Sequence, residues 1–532
     1  MAQDSLLLRD YQFVKQQDVW LTHPNAAALT RLQSPSIVEA EAQLAKGNGG
    51  HIDFYDSRNT LQATVNIESY YRLSRRVVGF GAISYDNWTG RDMTGSAFLP
   101  MARKASSVFL QRRPFDLVED SLTNSGRKHR DTYRLSGAIG VDIWRGISLG
   151  ARIDYTAANY AKYKDLRHKN KLMDLQITVG AYAPVTEWLS LGANYAYHRQ
   201  TESITFGTYG KSEKVYKTLI DYGAFMGRVE QFGYEGFTDK SHEMPLFEDG
   251  HGGSFQLELR PFSGLGGRWQ QLALMGAVSL AHSTGYYGRR SPYTITYTGH
   301  KRDIVEVMAR LSYAVRAARY ALDFSFGTER LDNHAETYRE QKNDNGATFY
   351  EYYDPVETGS KKWHDMAFKA TAQWGVRGEL PAWELTAGYQ WAKRRQTAYL
   401  YPFFRYQRLT ANRLTASATH NHLMAHGVLS VNLHGSWQKG NGDPCQDGAF
   451  VVPSDRQEMP ATMEAFLQRE YHYLTAAQFG VGGSVKYAFR FPGTKLRTHV
   501  RLGADYRKVN GDYDYATGNH HWLLTAAVGC TF

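Results

Sequence analysis

Cysteine and proline are scarce in this chain, 2 and 15 of 532 residues, and no long hydrophobic run occurs. Two cysteines, Cys445 and Cys530, exclude a disulfide framework. The longest largely apolar stretch, about Leu272 to Ala281, is too short to cross a bilayer as a helix, and the mean hydropathy of -0.50 excludes a helical membrane protein. A chain of 532 residues suggests three or four domains on length alone. Yet no Pro/Ser-rich linker, low-complexity tract or long-period repeat divides it. The start, Met1-Ala2-Gln3-Asp4-Ser5, lacks the basic and apolar regions of a secretory signal and is expected to be a processed end.

What is present is a two-residue period. Trp522, Leu524, Ala526, Val528, Cys530 and Phe532 share one face of the last segment, against His521, Thr525, Gly529 and Thr531. Leu61, Val65, Ile67 and Tyr71 oppose Gln62, Asn66, Glu68 and Arg72; Leu149 and Ile153 oppose Arg152 and Asp154. Val305, Val307 and Leu311 oppose Glu306 and Arg310, and Val500 and Leu502 oppose Arg497 and Arg501. One face suits hydrocarbon and the other water, the alternation that a membrane β-barrel demands. A soluble barrel would turn the apolar set inward.

Connections alternate between tight and long. Ser74-Arg75, Arg145-Gly146, Thr186-Glu187, residues 263–267, 316–318 and 377–381, Ala425-His426 and residues 492–494 are tight; the polar segments near 91–129, 162–170, 205–251, 287–302, 333–361, 399–405, 441–472 and 510–517 are long. The reading is an all-β transmembrane antiparallel barrel of about eighteen strands, with short periplasmic turns and long extracellular loops. Sixteen is the alternative, depending on segments 252–262 and 406–424. Residues 35–532 form the barrel and residues 1–34 a periplasmic or lumen-plugging segment. Tyr71, Trp144, Trp188, Trp269, Trp383 and Phe491 beside the tight turns are expected to form an interfacial girdle.

The terminal Phe532 resembles the C-terminal signature of outer-membrane barrels, which implies recognition by the barrel-assembly machinery and an outer-membrane location in a Gram-negative bacterium. Trp20 and Pro24-Asn25, leading into Ala26-Ala27-Ala28-Leu29, read as a break and cap before a short helix. This stretch resembles, with Pro and Asn exchanged, the Asn-Pro-Ala hatch of the long-chain fatty-acid transporter family, and on that resemblance Trp20, Pro24 and Asn25 are plug candidates. As a whole the chain resembles large outer-membrane barrels of Bacteroidota, often encoded beside TonB-dependent receptors and surface lipoproteins. With no preceding globular plug and no TonB box, it is expected to accompany such a receptor rather than be one.

The balance of 62 Lys and Arg against 52 Asp and Glu, net +10, comes without a nucleic-acid recognition motif, so no nucleic acid is expected. Much of the charge alternates with apolar residues. Glu68, Arg72, Arg152, Asp154, Glu258, Arg260, Glu306, Arg310, Arg497 and Arg501 are the lumen-lining candidates, fit to brace the wall or select solutes. Lys211, Lys214 and Lys217 are candidates for lipopolysaccharide phosphates. His420, His422 and His434 would form a metal site only if all faced the lumen, and Asn441–Gly448 lacks the glutamate of an EF-hand loop. Asp249, His251, His364 and Asp365 near the rim form no recognisable triad. No metal, cofactor or catalytic residue is therefore expected. The function expected is passive or partner-assisted uptake of a polar or amphipathic solute, with aromatic loops such as Phe349-Tyr350-Glu351-Tyr352-Tyr353 as stacking surfaces. A closed accessory barrel that binds a surface lipoprotein or TonB-dependent receptor is the alternative, and an enzyme at the rim comes third.

Overall fold

The computed structural model describes residues 8–100, 107–109, 111–119, 124–209, 214–233, 244–262, 271–290, 295–491, 493–494, 496–511, 513 and 517–532. Eighteen antiparallel strands close into one barrel: β1 (Ile37–Gly49), β2 (Asn59–Arg72), β3 (Val77–Met93), β4 (Gly126–Trp144), β5 (Ile147–Lys162), β6 (Arg167–Pro184), β7 (Leu189–Gly207), β8 (Met244–Leu259), β9 (Leu272–Gly288), β10 (Thr296–Val315), β11 (Ala318–Ala335), β12 (Val356–Trp374), β13 (Trp383–Leu400), β14 (Phe403–Leu423), β15 (Gly427–Gly442), β16 (Gln478–Arg490), β17 (Arg497–Val509) and β18 (His520–Thr531). Each strand pairs with its neighbour in sequence, and β1 pairs with β18 from Glu39↔Thr531 to Gly49↔His521. Closure leaves no edge with unpaired backbone groups. Phe532 extends the seam: its N–H donates to Val38 O at 3.0 Å and its C=O accepts from Val38 N at 2.9 Å.

The two-residue period sets which way each side chain points. In the half of the wall next to the short turns, outward positions such as Val65, Ile67, Leu149, Ile153, Leu502 and Leu524 are exposed and apolar. No helix among the described residues is long and apolar enough to cross a membrane, so this belt belongs to the strands. Tyr71, Trp144, Trp188, Trp383 and Phe491 stand exposed at its short-turn margin, and Trp269 lies outside the described residues. Arg145 and Gly146 both have positive φ, 48° and 82°, the backbone of a two-residue hairpin whose twist matches its strands.

Toward the long-loop end the phase of the pattern reverses. On β7 Tyr195 faces out and is 48% exposed, whereas Ile204 and Phe206 face in and are buried. Likewise Leu322 points out and Leu331 in on β11, and Leu414 out and Leu409 in on β14. Beyond hydrocarbon the wall behaves as in a soluble protein, wet outside and packed against apolar loop residues inside. This reversal explains why the strands outrun the sequence reading. β4 starts at Gly126 rather than 130, β8 at Met244 rather than 252 and β10 at Thr296 rather than 303. The expected long loop over 399–405 is instead a tight turn at Tyr401-Pro402 between β13 and β14.

Candidate functional site

The lumen is occupied at both ends. At the short-turn end lies the N-terminal segment: α1 (Tyr11–Gln17), the single-turn α2 (Val19–Thr22) and a 3₁₀ turn (Ala26–Arg31). Each start is capped by a side chain in sequence: Asp10 accepts from Phe13 N at 3.0 Å, Asp18 from Trp20 N at 3.0 Å and Asn25 from Ala27 N at 3.2 Å. Pro24 holds His23 extended, φ -75° and ψ 146°, which separates α2 from the 3₁₀ turn. Tyr11, Trp20, Asn25 and Ala27 are completely buried, and Pro24 is exposed.

Glycine makes the seat. Gly140, Gly150 and Gly180 form one register row across β4, β5 and β6, all facing inward. A Cβ at Gly140 would stand 2.5 Å from Ala26 O; at Gly150 it would overlap the Ala26–Ala27 backbone, and at Gly180 the Asn25 side chain. On β7, Gly192 lies against the Trp20 ring. Asn25 Nδ2 reaches through this gap to Ala181 O and Gln256 Oε1, both at 2.9 Å.

Most of the charged candidates meet this segment. Glu68 pairs with Lys15 at 2.9 Å, Arg72 donates to Leu32 O, and Arg497 donates to Arg9 O. Glu258 receives Trp20 Nε1 at 3.2 Å, Arg31 at 3.0 Å and Arg260 at 3.0 Å. The others brace the wall: Arg152 grips Asp154 with two bonds of 2.7 and 2.8 Å, Arg310 pairs across strands with Asp323 at 3.3 Å, and Arg501 pairs with Glu41. Glu306 lines a small recess with Ser325 and Gln390. Sequence reasoning missed Asp18, Arg31, Tyr182 and Gln256, which complete the Glu258 and Asn25 networks. It read glycine as a turn former, and only the register of three strands reveals the seat.

The segment fills the lumen unevenly. Tyr11, Val14, Leu21 and Leu29 form an apolar cluster with Ile37, Tyr70 and Val78 on β1–β3. On the opposite side, facing β8–β12, a cavity of about 410 Å³ remains, lined by Gln16, Asp18, Arg31, Arg260, Arg310 and Arg319 among others.

The long-loop end is closed by loops folded inward. The connection between β3 and β4 carries the strand Asp116–Glu119, which joins the hairpin Tyr216–Gly223/Met226–Phe232 in a three-stranded sheet. Phe98, Phe115 and Leu117 pack against Ile204, Phe206 and Tyr287 of the wall. Buried ion pairs fasten these loops. Arg112 binds Glu329 at 2.9 Å and Asp365 at 2.6 Å; Arg113 binds Glu202; Glu119 binds Lys128 and Lys162. Helix α3 (Glu464–Thr475), in the loop after β15, is held by Glu470 on Arg394, at 2.6 and 2.9 Å. The apolar residues of the first loop, Phe98, Phe109, Phe115 and Val118, were the available signal that it is not an exposed polar loop.

Two carboxylates at this end, Asp53 in the loop after β1 and Asp221 in the cap hairpin, are buried without an ion pair among the described residues. Burial, reinforced by Glu470, lifts Asp53 from its ordinary 3.8 to about 7, and burial lifts Asp221 to about 7 despite Lys361. Both values are raised in the closed cap, so the stability these groups allow is complete below pH about 4 and declines as pH rises through about 7. The protection of residues 216–232 against hydrogen exchange, taken relative to the base-catalysed intrinsic rate at each pH, is therefore expected to fall about tenfold or more between pH 5 and pH 8. Asp53→Asn with Asp221→Asn should flatten this profile, and a profile unchanged in the double variant would show that other groups set it.

Other sequence candidates do not converge. His420 and His422 face outward, with His420 against Trp383 at 4.1 Å, whereas His434 faces the lumen and bonds Asp505 at 2.6 Å. Asp249 and His251 face outward and bond Tyr197 and Tyr195; His364 faces outward and Asp365 inward to Arg112. In the loop 441–448, Asp447 pairs with Arg405 at 2.6 Å, and no group of three metal-ligating side chains occurs among the described residues. Cys445, packed under the cap, and Cys530, on β18, are both free. Lys211 lies outside the described residues, Lys214 covers the Tyr216 ring at 5.0 Å, and Lys217 is exposed. Residues 348–352 pair with Tyr338–Lys342 in an outer hairpin.

A closed eighteen-strand wall, apolar outside and charged within, defines an outer-membrane-type β-barrel. The chain belongs to the family of unknown function DUF6850, whose model matches residues 26–532. No curated protein matches the sequence. The barrel is similar in architecture to the outer membrane transporter YddB from Escherichia coli, at 8% identity over 94% of this chain and 81% of that one, TM-score 0.42. It is also similar to the ferric-catecholate import receptor Fiu from E. coli, at 7% identity over 93% and 82%, TM-score 0.38. A third likeness is to BauA, the ferric preacinetobactin receptor from Acinetobacter baumannii, at 7% identity over 92% and 80%, TM-score 0.35.

Proposed function

We propose that the protein is a gated outer-membrane barrel for partner-assisted uptake of a polar solute, with its short turns in the periplasm and its long loops outside. The supporting observation is the uneven filling of the lumen. The N-terminal segment leaves a polar cavity of about 410 Å³ along β8–β12, lined by glutamines and by arginines largely paired with carboxylates, a mixed lining that suits a polar, hydroxyl-rich solute. The inward loops are the outer gate, and a partner would supply the energy that shifts one or both closures. A second reading, a closed accessory barrel, draws on the exposed run Phe450, Val451 and Val452, with Val452 94% exposed, in the loop after β15. Such a run outside the membrane suits a surface lipoprotein.

Planar-bilayer recording separates the two. The intact protein is expected to conduct only brief, small steps. Deleting residues 3–34 together with Arg113→Met should give sustained steps of a wide pore, and either change alone should give less. Silence in every folded form would overturn the uptake reading in favour of the accessory barrel.

A further inference from the structure

Four cations stand side by side on the outer wall. Arg330, Lys362, Arg395 and Arg408 occupy one register row on β11, β12, β13 and β14, at outward positions, and all are exposed. Strands about 4.8 Å apart make this a strip about 14 Å wide. Like charges directly opposite one another on a sheet repel, so the row is unfavourable without a counterion. Arg330 has one, Asp332 at 2.7 Å. Among the described residues no carboxylate pairs with Lys362, Arg395 or Arg408, whose inward neighbours Lys361, Arg394 and Gln407 are buried and add no negative charge outside.

The neighbouring rows show what kind of anion fits. Toward the loops, the next row carries Asp332, which accepts from Ser360 Oγ at 2.7 Å, and then Thr397 and Tyr406, whose hydroxyls stand beside Arg395 and Arg408. Toward the membrane comes the row Thr328, His364, Lys393 and Thr410, then Phe326, Met366, Trp391 and Asn412. Further along lie the exposed Leu322, Phe368, Leu385 and Leu414. Cations therefore sit about 13 Å along the strands from the first apolar side chains, on a face that looks into the bilayer rather than the lumen. A phosphate in solution would use only the cations, whereas a phosphorylated lipid would use both levels.

We infer that this strip binds the phosphorylated headgroup of an outer-leaflet glycolipid, with its acyl chains against Phe326, Met366 and Trp391. The placement in the outer leaflet depends on the orientation proposed above. Binding in detergent does not depend on conduction, so the two readings can fail separately. The full chain, purified without lipid, is titrated with diphosphoryl lipid A and followed by native mass spectrometry and thermal unfolding. Lys362→Gln/Arg395→Gln/Arg408→Gln is expected to weaken lipid A binding about tenfold or more and to abolish its stabilising effect, while leaving the lipid-free melting temperature unchanged or raised. Lys169→Gln/Lys508→Gln, outward cations on β6 and β17 away from the strip, should bind as the original does. Dephosphorylated lipid A should bind weakly. Equal binding by the triple variant would overturn the inference, and full competition by millimolar inorganic phosphate would reduce the strip to a simple anion site. If the triple variant does not fold, Lys362→Gln alone, read as the salt dependence of lipid A binding, decides the same point.

Discussion

Replacing Gly150 by valine is expected to expel the N-terminal segment from the lumen. A side chain there would overlap the backbone of Ala26 and Ala27, which are fully or nearly fully buried and held from both sides. Backbone yields less easily than the tip of a flexible side chain, so the clash belongs at the upper end of the overpacking range, about 1–3 kcal/mol. That corresponds to a fall of about fivefold to a hundredfold in the equilibrium constant for seating, and an equal rise in the unseated-to-seated ratio. Arg31, whose side chain is 15% exposed and paired with Asp18 and Glu258, would then meet trypsin. Cleavage after Arg31 should accelerate by that factor, while the barrel keeps its heat-modifiable gel mobility. Gly276→Ala is the control, because a Cβ there has nothing nearer than 3.9 Å. Unchanged protection in Gly150→Val would mean that the glycine row is not the seat.

Arg113→Met should release the outer closure with the larger energetic effect. The Glu202 carboxylate is wholly buried, and Arg113 is its cationic partner; Asn170 at 2.6 Å and Leu99 N at 3.2 Å supply the remaining bonds. Removing one member of a buried ion pair costs about 3–5 kcal/mol, because the other charge stays in a medium of low polarity. The loss would extend beyond this pair, since the Arg113 side chain also donates to Leu99 O and covers the Phe98 ring at 4.7 Å. Hydrogen exchange of residues 111–119 should rise by two orders of magnitude or more on that energy, about tenfold for each 1.4 kcal/mol. Adding Glu202→Gln should recover a substantial part of the protection, because a neutral amide does not carry the desolvation penalty. Protection that stays lost in the double variant would assign the closure to packing around Phe98 and Phe115 instead.

The wall was legible because membrane strands obey one rule residue by residue. From Leu61 to Tyr71, from Val305 to Leu311 and from Trp522 to Phe532, alternate side chains must suit hydrocarbon, and that requirement is written into the order of residues. The count of eighteen followed, as did the alternation of tight and long connections. Strand ends were less legible. Past the membrane margin β7 turns Ile204 and Phe206 inward, so a search for one constant phase stops short of the hydrogen-bonded ladder.

Neither closure was legible to the same degree. Asn25 and Trp20 stood out in the sequence through the break at Pro24, but their partners Gln256 and Glu258 lie more than two hundred residues away. Arg112 and Arg113 looked like charges in a long loop, and nothing local says that Glu329 and Glu202 await them in the wall. By itself the sequence determined the barrel, a strand number of about eighteen with sixteen left open, and which face of each membrane strand meets lipid, because these depend on a period of two along the chain. Tertiary structure decided what fills the lumen, where three glycines align and which cations share a row, because those depend on register between strands that only closure of the barrel brings together.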